Sequence, residues 1–311
     1  MGSAEELWQA FLKAHPEAGS GKLSLAEINR KMSAFVNGLN QRPNPDFEGL
    51  SPNQMQLLLY DPFSAQSPVR PKDHYPDEVL DRVPFFGLME TLYAEIGARG
   101  QIKLTPKGNL PLDVCRRLYE RKLLTQDDIE SGITKRVSED NVVFIHALKA
   151  CLSLGGLVKK RDNAFSFTKA GEQALAKGRS AMFLQLLHDY TTRFSWAYLD
   201  GADAPQAGQL GWAYSLRLLH RHGKEWRPAD FYPERFLQAF PAFNQPIPST
   251  IFANSHIPFA SVYEWRFLKK FSAWFGLVEL QLRKDLGVVP YPLWVRSTVL
   301  LDELFTFGQQ V

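Results

Sequence analysis

Three groups of closely spaced cations are the residues best suited to chemistry with an anion. They are Lys159-Lys160-Arg161, Arg266 with Lys269 and Lys270, and Arg283-Lys284. Cations at such spacing can neutralise successive phosphates of a nucleic acid, each releasing condensed counterions. A fourth cluster, Arg116, Arg117, Arg121 and Lys122, falls on the polar side of a helical pattern, and a solvated helix face explains it equally well. Catalytic patterns are missing: the chain has no phosphate-cradling glycine loop with Lys, no G-x-G-x-x-G, no G-x-S-x-G and no H-E-x-x-H. His220 and His222, near Glu225, are metal-ligating types. On a helix, residues two apart point away from each other, so a metal-dependent enzyme is the remote alternative. His188-Asp189 reads as a helix surface pair, and no cofactor is expected.

The elements that must carry the cations follow from pattern. Residues 142–175 run from an apolar helix through Gly155-Gly156 into a strand, a turn at Arg161-Asp162-Asn163, a second strand with Phe165 and Phe167 alternating, and a helix starting at Thr168. That order is the end of a winged-helix unit. A looser copy spans residues 261–307: Trp274-Phe275-Gly276-Leu277-Val278 matches Leu154-Gly155-Gly156-Leu157-Val158, and Ser297-Thr298 matches Phe167-Thr168 before a helix. The T-x-x-G of Thr168 to Gly171 occurs once earlier, from Thr105 to Gly108, where Thr105 is expected to cap a helix. Ser138 is expected to cap the central helix, residues 182–199 to form one long aromatic helix, and 227–240 another. Residues 201–208 read as an exposed loop and 244–258 as a Pro-rich connector.

In the usual docking of this fold, the helix before the hairpin enters the major groove with polar side chains outward. The helix at 139–154 suits that poorly, since beyond its first turn only His146, Lys149 and Ser153 are outward polar candidates. A helix apolar nearly all round is ordinarily buried. The aromatic helices 182–199 and 262–275 are expected to be covered between the two halves or in a homodimer.

At the N-terminus, Ser24 with Glu27 and Ser51 with Gln54 have capping-box spacing. The segment Pro43-Asn44-Pro45-Asp46-Phe47-Glu48-Gly49-Leu50-Ser51-Pro52-Asn53-Gln54-Met55 continues through Asp61-Pro62-Phe63, and Leu104-Thr105-Pro106-Lys107-Gly108-Asn109-Leu110-Pro111 follows later. Both resemble segments of an uncharacterised bacterial family of plasmid- or transposon-associated reading frames, some carrying a SEC-C metal-binding motif. The resemblance covers about the first half of the chain and implies no known activity. The cysteine-rich SEC-C motif is absent here, so no metal role carries over.

Composition sets the outer bounds. The 311 residues carry a net charge of +3, too small by itself to indicate nucleic acid, and residues 76–180 hold 17 basic against 14 acidic groups. Cys115 and Cys151 are far apart and fit buried thiols in a reducing, cytoplasmic setting. No apolar run has membrane-spanning length, and the chain does not open with a signal-peptide pattern.

The expectation is a predominantly helical α+β protein with tandem winged-helix-like units: a helical N-terminal extension (1–76), a winged-helix-like domain (77–180), and a helical domain ending in a second such unit (181–311). Two functions remain open. One is a non-enzymatic regulator that binds duplex DNA through Lys159, Lys160, Arg161, Arg266, Lys269, Lys270, Arg283 and Lys284. The other is a protein-interaction or structural module, with a protein partner or a second copy and no nucleic acid.

Overall fold

Strand β1 (Val69–Pro71) pairs antiparallel with the last strand, Phe305–Phe307, so the two halves of the chain are tied together near its C-terminal end. The computed structural model describes residues 4–251 and 254–308. The protein is predominantly helical α+β.

Among the described residues, three α-helices precede β1: α1 (Ala4–Ala14), α2 (Leu25–Asn40) and α3 (Pro52–Tyr60). Both capping boxes form as their spacing dictates. The Ser24 hydroxyl accepts from Glu27 N and the Glu27 carboxylate accepts from Ser24 N, and Ser51 and Gln54 repeat the exchange. Each cap stabilises its helix by about 0.5–2 kcal/mol.

After β1 come α4 (Asp77–Leu80), α5 (Pro84–Arg99), β2 (Ile102–Lys103), α6 (Leu112–Glu120), α7 (Asp127–Glu130), α8 (Val143–Leu154), β3 (Val158–Arg161), β4 (Ala164–Phe167) and α9 (Lys169–Ala176). Pro84 starts α5, where its missing N–H costs nothing. β2, β4 and β3 form an antiparallel sheet in that order. Thr105 does not cap a helix. Its hydroxyl accepts from Asn109 N and closes a turn, and α6 begins only after Pro111. Ser138 likewise opens a turn, with α8 starting at Val143.

The second half contains α10 (Arg179–His188), α11 (Trp212–His222), β5 (Arg227–Pro228), α12 (Phe231–Ala239), β6 (Ile247–Pro248), β7 (His256–Ile257), α13 (Phe259–Tyr263), β8 (Val278–Leu282), β9 (Leu293–Ser297), α14 (Val299–Leu304) and β10 (Phe305–Phe307). The expected helix 182–199 is three pieces: α10, a π turn at Asp189–Arg193 and a 3-10 turn at Trp196–Leu199. Arg227-Pro228 is not helical, because it adds an edge strand to β9 and gives a second sheet ordered β5, β9, β8. The connector 244–258 contains the β6–β7 pair, with residues 252–253 outside the described set.

The two sheets share their closing geometry. Gly156 and Gly276 take φ of 70° and 72°, the left-handed region open to glycine. Thr168 N donates to Leu157 O at 3.1 Å and Thr298 N to Leu277 O at 2.9 Å. The Thr168 hydroxyl donates to Gly156 O at 2.6 Å, and that of Thr298 to Gly276 O at 2.7 Å. From α5 and from α11 onward, each half thus runs helix, strand, helix, helix, hairpin, helix, apart from the extra short helix α7 in the first and the β6–β7 pair in the second.

One continuous apolar core joins the halves. Trp274 stacks on Phe85 of α5 at 5.4 Å between centroids and meets Phe144 of α8 edge-on at 6.5 Å. Tyr190 and Phe183, on the first helical stretch of the second half, pack on Phe275. The helices that precede the two hairpins thus meet through Phe144 and Trp274 within one chain. Among the described residues, no helix is long and apolar enough to cross a membrane.

Candidate nucleic-acid interface

The first hairpin presents its cations to solvent. Lys159, Lys160 and Arg161 are exposed, and Asp162 and Asn163 turn the chain with φ of 51° and 56°. In the sheet, Arg161 and Lys103 both register with Ala164, on either side of β4. Lys159 registers with Ser166, two positions along and so on the same face. Small side chains in the middle strand and cations on both flanks leave that face flat and positive. Lys160 belongs to the opposite row with Phe165 and Ile102, and its ammonium reaches Gly108 of the Thr105 turn. Lys107 in that turn and Lys169 at the start of α9 are also exposed. Residues 101–110 and 157–170 together carry six cations, Lys103, Lys107, Lys159, Lys160, Arg161 and Lys169, against one carboxylate, Asp162. Asp162 lies 3.4 Å from Arg161 with both side chains more than four-fifths exposed, so the pair is water-screened and weak. Lys103 and Lys107 escape a linear reading because only strand pairing and the turn bring them to the hairpin, whereas Lys169 follows it directly in sequence.

Helix α8 is not available to a groove. Phe144, Ile145, Ala147, Leu148, Cys151 and Leu152 are buried. Lys149 donates to the buried Glu139 carboxylate at 2.9 Å and to Gly108 O, and His146 stacks on Tyr198 at 5.4 Å. Glu139 also accepts from Leu110 N at 2.6 Å. Burial opposes its ionisation, but the hydrogen bonds from His146, Leu110 and Lys149 win and hold its pKa below the usual value. The network fixes the Thr105 turn to α8 beneath the exposed cations.

The second cation group is corrected by burial. Arg266 is 0% exposed, and its five N–H donors are all used. Nε and one Nη2 donor reach Asp200 at 2.7 Å each, and the others reach the carbonyls of Ala202, Ala204 and Ala207. Lys270 is 4% exposed and donates to Leu199 O at 3.0 Å. Neither can touch a phosphate. The cause is a π-helical stretch, Glu264–Ser272, that continues α13. Its i→i+5 bonding re-phases the side-chain face relative to an α-helix. Burial pushes the Lys270 pKa down to about 7; Asp200 opposes this and Arg266 adds to it. The same anchoring pins residues 201–208, whose Ala202 and Ala207 are buried, so that segment is not a free loop. Lys269 stays half-exposed and pairs with Glu264 at 2.7 Å.

The second hairpin differs in kind from the first. Arg283 pairs with Asp285 at 2.6 Å and lies over the Trp294 ring, which leaves Lys284 as its one exposed cation among the sequence-derived candidates. Around it Leu282, Leu286, Val288, Val289 and Tyr291 are exposed. This is an apolar projection.

Elsewhere, His220 faces Asp302 at 2.7 Å and stacks on Phe307, while His222 faces Glu48 at 3.2 Å, so the two rings diverge. His188 lies 3.4 Å from Asp189, but Asp189 is buried at 1% exposure and also pairs with Arg193. Cys115 and Cys151 are buried free thiols, and burial raises both pKa values, Cys115 to about 12. Among the described residues, no three His, Cys, Asp or Glu side chains are grouped to hold a metal ion.

No family model, no curated protein and no solved structure matches this chain.

Proposed function

We propose that the chain is a non-catalytic, tandem winged-helix protein that binds duplex DNA through its first hairpin and the neighbouring Thr105 turn. The succession helix, strand, helix, helix, hairpin, with the first strand adding beside the last, supports the winged-helix reading of both halves. The observation that carries the DNA reading is the exposed group of six cations against one carboxylate around residues 101–110 and 157–170. With α8 buried, contact is to phosphates, which position a protein but carry no base information. Binding is therefore weakly sequence-dependent and strongly salt-dependent. The same proposal sets the chain beside the bacterial plasmid- and transposon-associated reading frames that it resembles, acting in the cytoplasm.

The exposed apolar residues of the second hairpin favour a second reading, a protein-interaction module, with that hairpin as its contact. Fluorescence anisotropy of a labelled duplex, titrated at a series of salt concentrations, separates the two. DNA binding requires affinity that falls steeply with salt. Absence of binding at low salt overturns it and leaves the interaction module.

A further inference from the structure

Glu48 lies in the tight loop after Pro45–Phe47 with φ of 54°. Its carboxylate enters a group of cations from α11 and α12. Oε2 is 3.3 Å from Arg221 Nε and 3.2 Å from His222 Nε2, and Oε1 is 3.9 Å from Arg235 Nη1. Its main-chain oxygen accepts from Arg221 Nη1 at 2.7 Å. Two further groups belong to this cluster without being satisfied by it. Arg217 is 6% exposed, and its Nε is sealed from solvent with no hydrogen-bond partner. Tyr214 Oη is in the same condition and within electrostatic reach of Glu48, Arg217, Arg221 and Arg235. Spacings of three and four place Tyr214, Arg217 and Arg221 along one face of α11.

The charges do not balance. Burial and the neighbouring Arg221 both lower the pKa of Arg217, while Glu48 opposes them. Burial also lowers that of His222, and Arg221 and Arg227 add to the effect against Glu48. The next acid, Asp46, is engaged through Gln238, whose amide donates to it at 3.3 Å. A nearly buried guanidinium whose Nε has no acceptor is costly, and a bound anion removes that cost.

We propose that this cluster binds the phosphate group of a small ligand, with phosphate oxygens accepting from Arg217, Arg221 and Tyr214 and with Glu48 as a resident competitor. Guanidinium forks suit a phosphate dianion, which can serve several donors at once. The burial of Arg217 selects a small ligand over a polymer backbone.

Thermal unfolding tests this with inorganic phosphate against sodium chloride at matched ionic strength. Phosphate is expected to raise the wild-type midpoint above chloride, since a ligand of the native state stabilises by mass action. Arg217→Met should weaken the phosphate affinity by about tenfold or more, the loss of a charge-assisted hydrogen bond. Glu48→Gln should strengthen it, because the competing carboxylate is gone. Should Arg217→Met fail to fold by circular dichroism, the exposed Arg221→Gln is read in its place and should also weaken phosphate binding. Changing Lys159, Lys160 and Arg161 to Ala should leave the phosphate increment unaltered, which keeps this site separate from the proposed DNA interface. Equal midpoints in phosphate and chloride overturn the proposal. So does an undiminished increment in the arginine variant that is read, a weaker one in Glu48→Gln, or its loss in the hairpin variant.

Discussion

Arg266 and Asp200 form a bidentate ion pair in which the arginine is fully buried and the carboxylate is 14% exposed. The guanidinium also gathers three carbonyls of residues 202–207, so the pair organises backbone that has no regular structure of its own. Asp200→Ala strands the cation in the interior. Removing one partner of a buried pair costs about 3–5 kcal/mol, and a urea titration should show that loss. Because the released segment carries the carbonyls, the amides of residues 202–204, 206 and 207 should also exchange hydrogen faster. A variant within about 1 kcal/mol of wild type, on the scale of an exposed pair, would show that the pair does not hold this loop.

Lys270 gives the protein a pH dependence of defined sign. Its folded pKa of about 7 lies below the ordinary lysine value of 10.5. Between those values the unfolded chain binds the proton and the folded chain does not, so this lysine's contribution makes stability rise with pH. Below about pH 7 both states are protonated, and the full burial cost of the ammonium is present. At roughly 1.4 kcal/mol per pH unit, the change across the window amounts to several kcal/mol. Chemical denaturation across that window should therefore give wild type a more positive slope of stability against pH than Lys270→Met. Parallel slopes would mean that Lys270 is not titrating in this range.

Both of these residues show where linear reading stops. Capping boxes, the left-handed Gly156 and the turn at Asp162-Asn163 are legible because each depends on neighbours within a few positions. Arg266 and Lys270 look like surface cations on an α-helical period, and the π-helical stretch turns them inward. Arg227-Pro228 is too short to announce a strand, and only its register with Val295 and Trp294 defines it. The positive surface of the first hairpin is half visible. Lys159, Lys160 and Arg161 are contiguous, whereas Lys103 arrives by pairing across β4 and Lys107 through a turn fixed by Glu139 and Lys149.

For the proposed DNA interface, Lys159, Lys160 and Arg161 changed together to Ala should weaken duplex binding. The slope of log affinity against log salt should become shallower by about 0.9 for each phosphate that the variant no longer neutralises. Lys103→Ala with Lys107→Ala should act in the same direction. Lys269→Ala, a cation already paired with Glu264 on the other half, should leave the slope unchanged. An equal effect from all three variants would point to net charge and remove the first hairpin as the site.

Gly171 and Gly97 are both helical glycines, and they should respond to alanine in opposite directions. A Cβ on Gly171, in α9, would lie 2.0 Å from Leu157 O, the carbonyl that also accepts from Thr168 N. That backbone closes the first hairpin onto α9 and has no side-chain freedom with which to yield. Gly171→Ala should therefore destabilise the protein by about 1–3 kcal/mol, the usual range for forced overpacking, despite the better helix propensity of alanine. A Cβ on Gly97, exposed in α5, would meet nothing within 4 Å. There the smaller conformational freedom of alanine in the unfolded chain acts alone, and Gly97→Ala should stabilise by about 0.4–1 kcal/mol. Denaturant midpoints measured for the two variants side by side check the close approach of α9 to the hairpin: if Gly171→Ala were as stabilising as Gly97→Ala, Leu157 O could not lie where α9 meets it.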